Sequence, residues 1–168
     1  AISYQDIADR VGIRKASIHH HFPSKADLGA AVVKRYTDNL SAIMDEARRS
    51  GDASKALETY FIPYKKFAED GTRICLCGAL AGELLALPED MRDLVAAFFE
   101  SHQRWLEELI AFGAGQGVFT IATPAKQLAR QIFTALQGAL MVRRAIGDVT
   151  EMTDVIAAVQ QSLGVSEA

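Results

Sequence analysis

Residues 1–28, AISYQDIADRVGIRKASIHHHFPSKADL, form the stretch of sequence that decides the fold. Their pattern predicts two short helices with a tight turn between them at Gly12, because glycine readily takes the left-handed conformation that ends a helix. Ser3, followed three residues later by Asp6, is typical of the first turn of a helix. Pro23 ends the second helix, since proline cannot continue the helical hydrogen-bond ladder.

The apolar residues of this stretch are spaced so that the two helices pack against each other. We expect Ile7 and Val11 of the first helix to meet Ile18 and Phe22 of the second. Two short helices with this turn, the second with basic and polar side chains at its exposed start, are typical of a helix-turn-helix that reads the major groove of DNA. The candidate DNA contacts are Arg14, Lys15 and Ser17 for base edges and His19, His20 and Lys25 for phosphates.

The rest of the sequence repeats apolar residues with helical spacing and contains no convincing strand, so the predicted fold class is all-α. The turn at Gly51 and Asp52 divides the chain into a DNA-binding unit with its connecting helix, 1–48, and a second helical domain, 49–168. Pro63 should bend or divide the helix that contains it. Further helices are predicted at about 24–49, 53–69, 74–87, 88–113, 124–146 and 150–163.

Composition and charge are those of a soluble globular protein. Of the 168 residues, 49% are hydrophobic and 23% are charged, which excludes a disordered chain. No apolar run approaches the roughly 18 residues that cross a bilayer. The net charge is −3, yet residues 1–40 carry +2 and the rest carries −5, so the positive end coincides with the candidate DNA reader.

Location and metal content follow from a few residues. Cys75 and Cys77 give no disulfide framework, which favours a reducing, cytoplasmic setting. Because the chain opens on Ala1 rather than Met, we expect it to be part of a longer protein.

Three adjacent histidines, 19–21, point in directions about 100° apart on a helix and cannot all bind one ion. We therefore predict neither a metal nor a cofactor.

A specific pattern of residue types runs through both short helices, the turn and the start of the third helix. It consists of Ile7-Ala8, Val11-Gly12-Ile13, Lys15-Ala16-Ser17-Ile18 and His20-His21-Phe22-Pro23-Ser24-Lys25, followed by Leu28. This pattern resembles the N-terminal DNA-binding domain of the TetR family of transcriptional repressors. The resemblance implies a homodimer that binds near-palindromic operator DNA and is released from it by a small-molecule inducer.

Three features differ from the family pattern. The first helix of the family would lie before Ala1. Arg14 stands where the family often has a Ser-type cap, which forfeits part of the roughly 0.5–2 kcal/mol of a cap but adds a cation near DNA. His19 stands where the family usually has a phosphate-contacting tyrosine, and its contact would depend on its protonation state.

The resemblance also implies that residues 49–168 form a ligand-binding and dimerisation domain whose last two long helices make the dimer bundle. Small residues on the first of these helices permit close approach of another helix, while the last helix cannot easily hide its apolar face within one subunit. The same residues could instead be interior packing. The candidate dimer residues are Leu136, Ala139, Val142, Val155, Ile156 and Val159.

Aromatic residues with a few polar neighbours suggest a pocket for an apolar or aromatic ligand around the break at Pro63. A plain hydrophobic core is the alternative for each of these residues. The candidate ligand contacts are Tyr60, Tyr64, Phe67, Cys75, Phe98, His102, Trp105, Phe133 and Gln137.

The cysteines allow two interpretations. Cys75 and Cys77 can be small buried hydrophobic residues on a helix. Alternatively, residues 75–92 look like the equivalent region in the branch of TetR regulators that responds to electrophiles and oxidants, with Cys75 modified by quinones or aldehydes. Such a thiol needs a cation nearby to lower its pKa, and Arg143 or Arg144 could supply it.

No catalytic motif occurs in the sequence, neither a Gly-rich phosphate loop nor HExxH nor a nucleophile elbow. We therefore predict that the protein is not an enzyme. The alternative from another class is a small all-α thiol enzyme or ligand carrier that uses Cys75 or Cys77.

Overall fold

The computed structural model describes residues 3–165, which form helices and connecting turns without a strand. This confirms the predicted all-α class. Within the described residues, no helix is long and apolar enough to cross a membrane. The helices are α1 (Tyr4–Val11), α2 (Lys15–His21), α3 (Lys25–Arg49), α4 (Ala53–Asp70), α5 (Leu76–Gly82), α6 (Glu89–Gly115), α7 (Ala125–Ile146) and α8 (Glu151–Ser162), with a 3₁₀ turn at Leu84–Ala86.

Capping residues set the starts of the helices that frame the DNA reader. The Ser3 backbone N–H donates to the Asp6 carboxylate at 2.7 Å, and the Asp6 N–H donates back to the Ser3 hydroxyl at 3.2 Å. Ser24 and Asp27 repeat this capping box at the start of α3. Gly12 ends α1 with φ +75°, as predicted from its left-handed tendency.

Two hydrophobic clusters hold the helices together. The small cluster joins α1, α2 and the first turn of α3 through the buried Tyr4, Ala8 and Ile18. The large cluster contains α4 to α8 and the later part of α3, which packs on α4 and α6. The α3 helix contributes residues to both clusters. The predicted boundary at 48/49 therefore lies at the end of a helix that packs in both units.

Two local predictions are wrong, and of the two alternatives for Pro63 the division of its helix is excluded. Pro63 does not divide α4, because buried residues on both sides of it, such as Phe61 and Tyr64, keep the helix docked on the core despite one missing hydrogen bond. The single helix predicted for 74–87 is split, since α5 ends at Gly82 and a 3₁₀ turn follows. Val11 lies 63% exposed instead of packing inward, because it is the last residue of α1.

Candidate DNA-reading surface and ligand cavity

The start of α2 presents the residues predicted to touch base edges. Arg14 is the N-cap residue and makes no side-chain capping bond, so its guanidinium is free to turn outward. Lys15 and Ser17 occupy the first turn of α2, and all three residues are exposed. A short helix with an exposed polar start, braced by a second helix, has the geometry required to enter a major groove about 12 Å wide.

Tyr4, which was not among the predicted site residues, fixes the position of this reading helix. Its buried hydroxyl lies 2.9 Å from the carbonyl oxygen of Phe22 and also within bonding distance of the carbonyl oxygen of Ser24. These carbonyls flank the turn between α2 and α3. Burial, with a smaller effect from the Asp27 charge, raises the pKa of Tyr4, so the hydroxyl keeps its proton and can donate. An aromatic residue directly after the Ser3 cap was the available signal.

The residues predicted to contact phosphates lie beside this turn. The His19 ring stands edge-on to Tyr4 with the ring centroids 4.5 Å apart, and His19 and His20 are exposed on the last turns of α2. Lys25 is the exposed first residue of α3. It lies close enough to Asp6 that its charge contributes to the lowered pKa of that carboxyl, after the bonds from Ser3. The six candidate DNA contacts thus lie on one continuous stretch around α2.

A cavity of about 20 Å³ lies between α3, α4, α6 and α7, with the N-cap of α5 at its edge. Most of the predicted ligand contacts line this cavity. Four residues of α3 and one proline, which were not predicted, line it as well. The α3 residues were not predicted to line a cavity because α3 was assigned to the DNA-binding unit, although their spacing marks an apolar stripe. The predicted residues that line it are Tyr60, Tyr64, Phe67, Cys75, Phe98, His102 and Gln137, and the added ones are Tyr36, Leu40, Ile43, Met44 and Pro63.

Two predicted ligand contacts lie outside this cavity. Trp105 stacks on the far side of Tyr60, with centroids 5.1 Å apart and ring planes 14° apart. Phe133 packs against the rings of Phe99 and His102. Both are buried outside the cavity lining, and their contact with a ligand stays a prediction.

A chain of hydrogen bonds crosses the cavity wall. The Gln137 side-chain amide donates to the Tyr64 hydroxyl at 3.4 Å, the Tyr64 and Tyr60 hydroxyls are 3.3 Å apart, and the Tyr60 hydroxyl is 3.0 Å from Nδ1 of His102. Burial lowers the pKa of His102 to about 4, so its ring is neutral at physiological pH. Burial also raises the pKa of both tyrosines, which keeps both hydroxyls protonated.

The two cysteines are buried, as the interpretation of small hydrophobic residues expects, but only Cys77 lies within a helix. Cys75 is the N-cap residue of α5 and has non-helical backbone angles, whereas Cys77 lies in the first turn. Both are buried and free. Burial, with a smaller effect from Cys75, raises the pKa of the Cys77 thiol to about 12.

The predicted cationic partner of a sensor thiol is also elsewhere. The Arg143 guanidinium lies against Gly71, at the end of α4. Within the described residues, no lysine or arginine lines the cavity that Cys75 borders. His102 bonds to Tyr60 rather than to a thiol. The response to electrophiles stays a prediction, and the Cys-His pair of a thiol enzyme is not formed with His102.

Most of the predicted dimer residues are core residues. Leu136, Ala139, Ile156 and Val159 are buried within this one chain, because α7 packs on α6 and α8 through that face. They therefore belong to the interior alternative. Val142 is 42% exposed, and it shares the outer face of α7 with exposed or half-buried neighbours. These are Ala135, Gly138, Met141 and Ala145. Val155 is half-buried on α8.

The fold and the exposed reading helix define a helical regulator with a helix-turn-helix. Comparison with known families agrees: residues 1–32 match the family described as bacterial regulatory proteins, tetR family, and residues 55–159 match the tetracyclin repressor-like C-terminal domain. The chain belongs to the TetR family of transcriptional regulators, which confirms the resemblance.

Individual relatives support the same assignment. A TetR-family transcriptional regulator from Agrobacterium tumefaciens superposes with a TM-score of 0.87 at 33% identity, covering 95% of this chain and 86% of that one. A TetR regulator from Legionella pneumophila gives 0.86 at 30% identity, covering 97% and 87%. The transcriptional regulator AcuR of Cereibacter sphaeroides is 25% identical over 147 residues, 84% of this chain. The chain spans 66% of the length of AcuR.

Proposed function

We propose that this chain is a cytoplasmic transcriptional repressor that binds operator DNA as a homodimer and is released by a small ligand in the cavity. One observation carries the proposal. The α3 helix begins at Lys25, beside the reading helix, and its residues Tyr36, Leu40 and Met44 line the cavity. A continuous helix thus connects the candidate ligand site with the candidate DNA contacts.

The DNA-bound state follows from the reading surface. Arg14, Lys15 and Ser17 would meet base edges, while His19, His20 and Lys25 would hold phosphates and so fix the register. A twofold dimer would place two such helices on half-sites roughly 34–36 Å apart.

The small size of the cavity suggests how a ligand would release the protein from DNA. A space of about 20 Å³ is comparable to one water molecule and too small for an aromatic compound. A ligand must therefore displace part of the wall. The exposed Ile43 and half-buried Leu40 place α3 at the mouth of the cavity, so widening it there tilts α3 and the reader with it. The ligand shifts the population only because it binds the tilted state better than the DNA-bound state.

Capture of genomic DNA fragments on the protein, followed by sequencing and gel-shift titration, tests this function. We expect a near-palindromic site to be bound with far higher affinity than scrambled DNA of equal length. Lys15→Ala should weaken that preference, while Lys66→Ala, an exposed lysine on α4, should leave it unchanged. Equal affinity for the enriched site and for scrambled DNA would contradict the proposal.

A further inference from the structure

The hydrogen-bond chain in the cavity wall has a direction that its first member sets. The Gln137 Nε2 group can only donate, so the Tyr64 hydroxyl accepts from it. If Tyr64 then donates to Tyr60, and Tyr60 donates to Nδ1 of His102, every hydroxyl proton in the chain has an acceptor. The neutral His102 ring must in that case carry its proton on Nε2.

The opposite direction leaves more groups unpaired. If Tyr60 donated to Tyr64, the Tyr64 proton would have no acceptor in this chain, and His102 Nδ1 would donate to Tyr60. The Nε2 atom of His102 would then be an acceptor without a donor. Because each buried polar group without a partner is destabilising, the direction with one unpaired group is favoured over the direction with two.

The favoured direction ends in a donor that lacks an acceptor. Among residues 3–165, Nε2 of His102 has no hydrogen-bond partner, and the residue is only 4% exposed. His102 lines the cavity, together with aromatic and aliphatic side chains. Within the described residues, no aspartate, glutamate, lysine or arginine lines it, and the lowered pKa of His102, about 4, leaves that ring neutral. A charged ligand would thus be buried without a counter-charge, which is strongly unfavourable.

From this we infer the chemical class of the ligand: a small, uncharged, largely apolar molecule with a carbonyl-type oxygen that accepts a hydrogen bond from Nε2 of His102. This inference rests on the proposed function, since it names the ligand for the same cavity. Its apolar body would lie between the aromatic side chains, such as Phe67 and Phe98, while its oxygen would complete the chain that begins at Gln137.

Acetophenone and α-methylstyrene are matched probes for this inference, because they differ by a carbonyl oxygen in place of a CH₂ group. Their dissociation constants are measured calorimetrically on the DNA-free protein, wild type and His102→Phe. We expect the preference for acetophenone over α-methylstyrene to fall by about tenfold or more in the variant, the value of one lost buried hydrogen bond. Phe67→Leu, a variant of a cavity residue without polar atoms, should change both affinities and preserve their ratio.

Two measurements on the wild-type protein need no variant. Benzoate and benzylammonium, of similar size to acetophenone, should bind at least about tenfold more weakly, since they bring an uncompensated charge. The carbonyl stretch of bound ¹³C-labelled acetophenone should lie at lower frequency than in alkane solution, because the carbonyl accepts a hydrogen bond.

The inference is overturned if acetophenone does not bind, if benzoate binds more tightly, or if the bound carbonyl stretch matches the alkane value. An unchanged probe preference in His102→Phe would also overturn it. These assays contain no DNA, so they separate the inference from the proposed function. If acetophenone binds through His102 and operator binding is unaffected, the inducer role fails and the ligand class stands.

Discussion

Lys25 combines exposure with the first position of α3, where its charge can reach a phosphate without entering a groove. A phosphate contact contributes equally on every DNA sequence. We therefore predict that Lys25→Ala weakens binding to the operator and to unrelated DNA by a similar factor. The slope of log K against log salt concentration should fall by about one, since one fewer counterion is released.

Filter-binding or fluorescence titrations between low and moderate salt measure this slope. Lys66→Ala is the matched control, because it removes one exposed lysine from α4. A Lys25→Ala protein that retains full affinity would contradict the phosphate role, and one that loses affinity only on the operator would place Lys25 at a base edge.

At the residue scale, the sequence predicted which side chains are exposed at helix starts. It did not predict contacts between residues on different helices. The exposure of Arg14, Lys15 and Lys25 follows from their positions around helix starts. By contrast, the bond of Tyr4 to a carbonyl eighteen residues away depends on how α1 and α2 cross. The same limit applies to Trp105, whose helical spacing placed it on the apolar stripe but could not show which side of Tyr60 it occupies.

At the element scale, Gly12 makes the tight turn between α1 and α2 possible. It adopts φ +75°, and a Cβ there would meet no atom within 4 Å, so backbone strain is the only cost of a side chain. We predict that Gly12→Ala destabilises the reader by about 1 kcal/mol, the cost of a left-handed alanine. Hydrogen exchange of the α1 and α2 amides should become about fivefold faster.

Gly115→Ala is the control for this substitution. Gly115 is the last residue of α6, its φ is not positive, and a Cβ there also meets nothing. Its replacement should leave exchange in α1 and α2 unchanged. Unaltered exchange in Gly12→Ala would show that the turn tolerates a side chain and that glycine is not required for it.

Element boundaries were predictable where a capping residue marks them, as at Ser3, Ser24 and Gly12. They were not predictable where burial and local propensity disagree. Pro63 favours a break in α4, yet the packing of its neighbours on the core outweighs one lost hydrogen bond. The choice between interior packing and a dimer contact for Leu136 and Ala139 also needed the structure, because small residues occur on both faces of α7.

At the scale of the whole molecule, the buried His102 makes the core sensitive to acid. Its pKa is about 4 in the folded protein, whereas an unfolded chain has about 6.5. The unfolded state therefore binds the proton more readily, so stability is complete above pH 6.5 and falls as the pH drops toward 4. Between pH 7.5 and 5 the free energy of unfolding should decrease by about 2 kcal/mol from this group.

Urea unfolding followed by the fluorescence of the buried Trp105 measures this change. His102→Phe should lose most of the difference between the two pH values, while His20→Ala, which removes an exposed histidine, should retain it. A wild-type protein with equal stability at pH 7.5 and 5 would show that His102 is not buried as a neutral group.

Dimer formation can be tested on the outer face of α7. Val142 is 42% exposed there and is flanked by Met141 and Ala145, so a twofold contact would bury it against its own copy. Val142→Asp would place two like-charged carboxylates in that contact, and we expect sedimentation equilibrium to show a monomer. Val118→Asp is the matched control, since Val118 is 40% exposed in the connection between α6 and α7.

The monomeric variant should also lose most of its operator affinity while its helical content stays constant, because two half-sites need two linked readers. If Val142→Asp remains a dimer and Val118→Asp does not, the dimer contact lies at the connection between α6 and α7 instead. If the wild-type chain itself sediments as a monomer and still binds a palindromic site tightly, the two-reader arrangement is wrong.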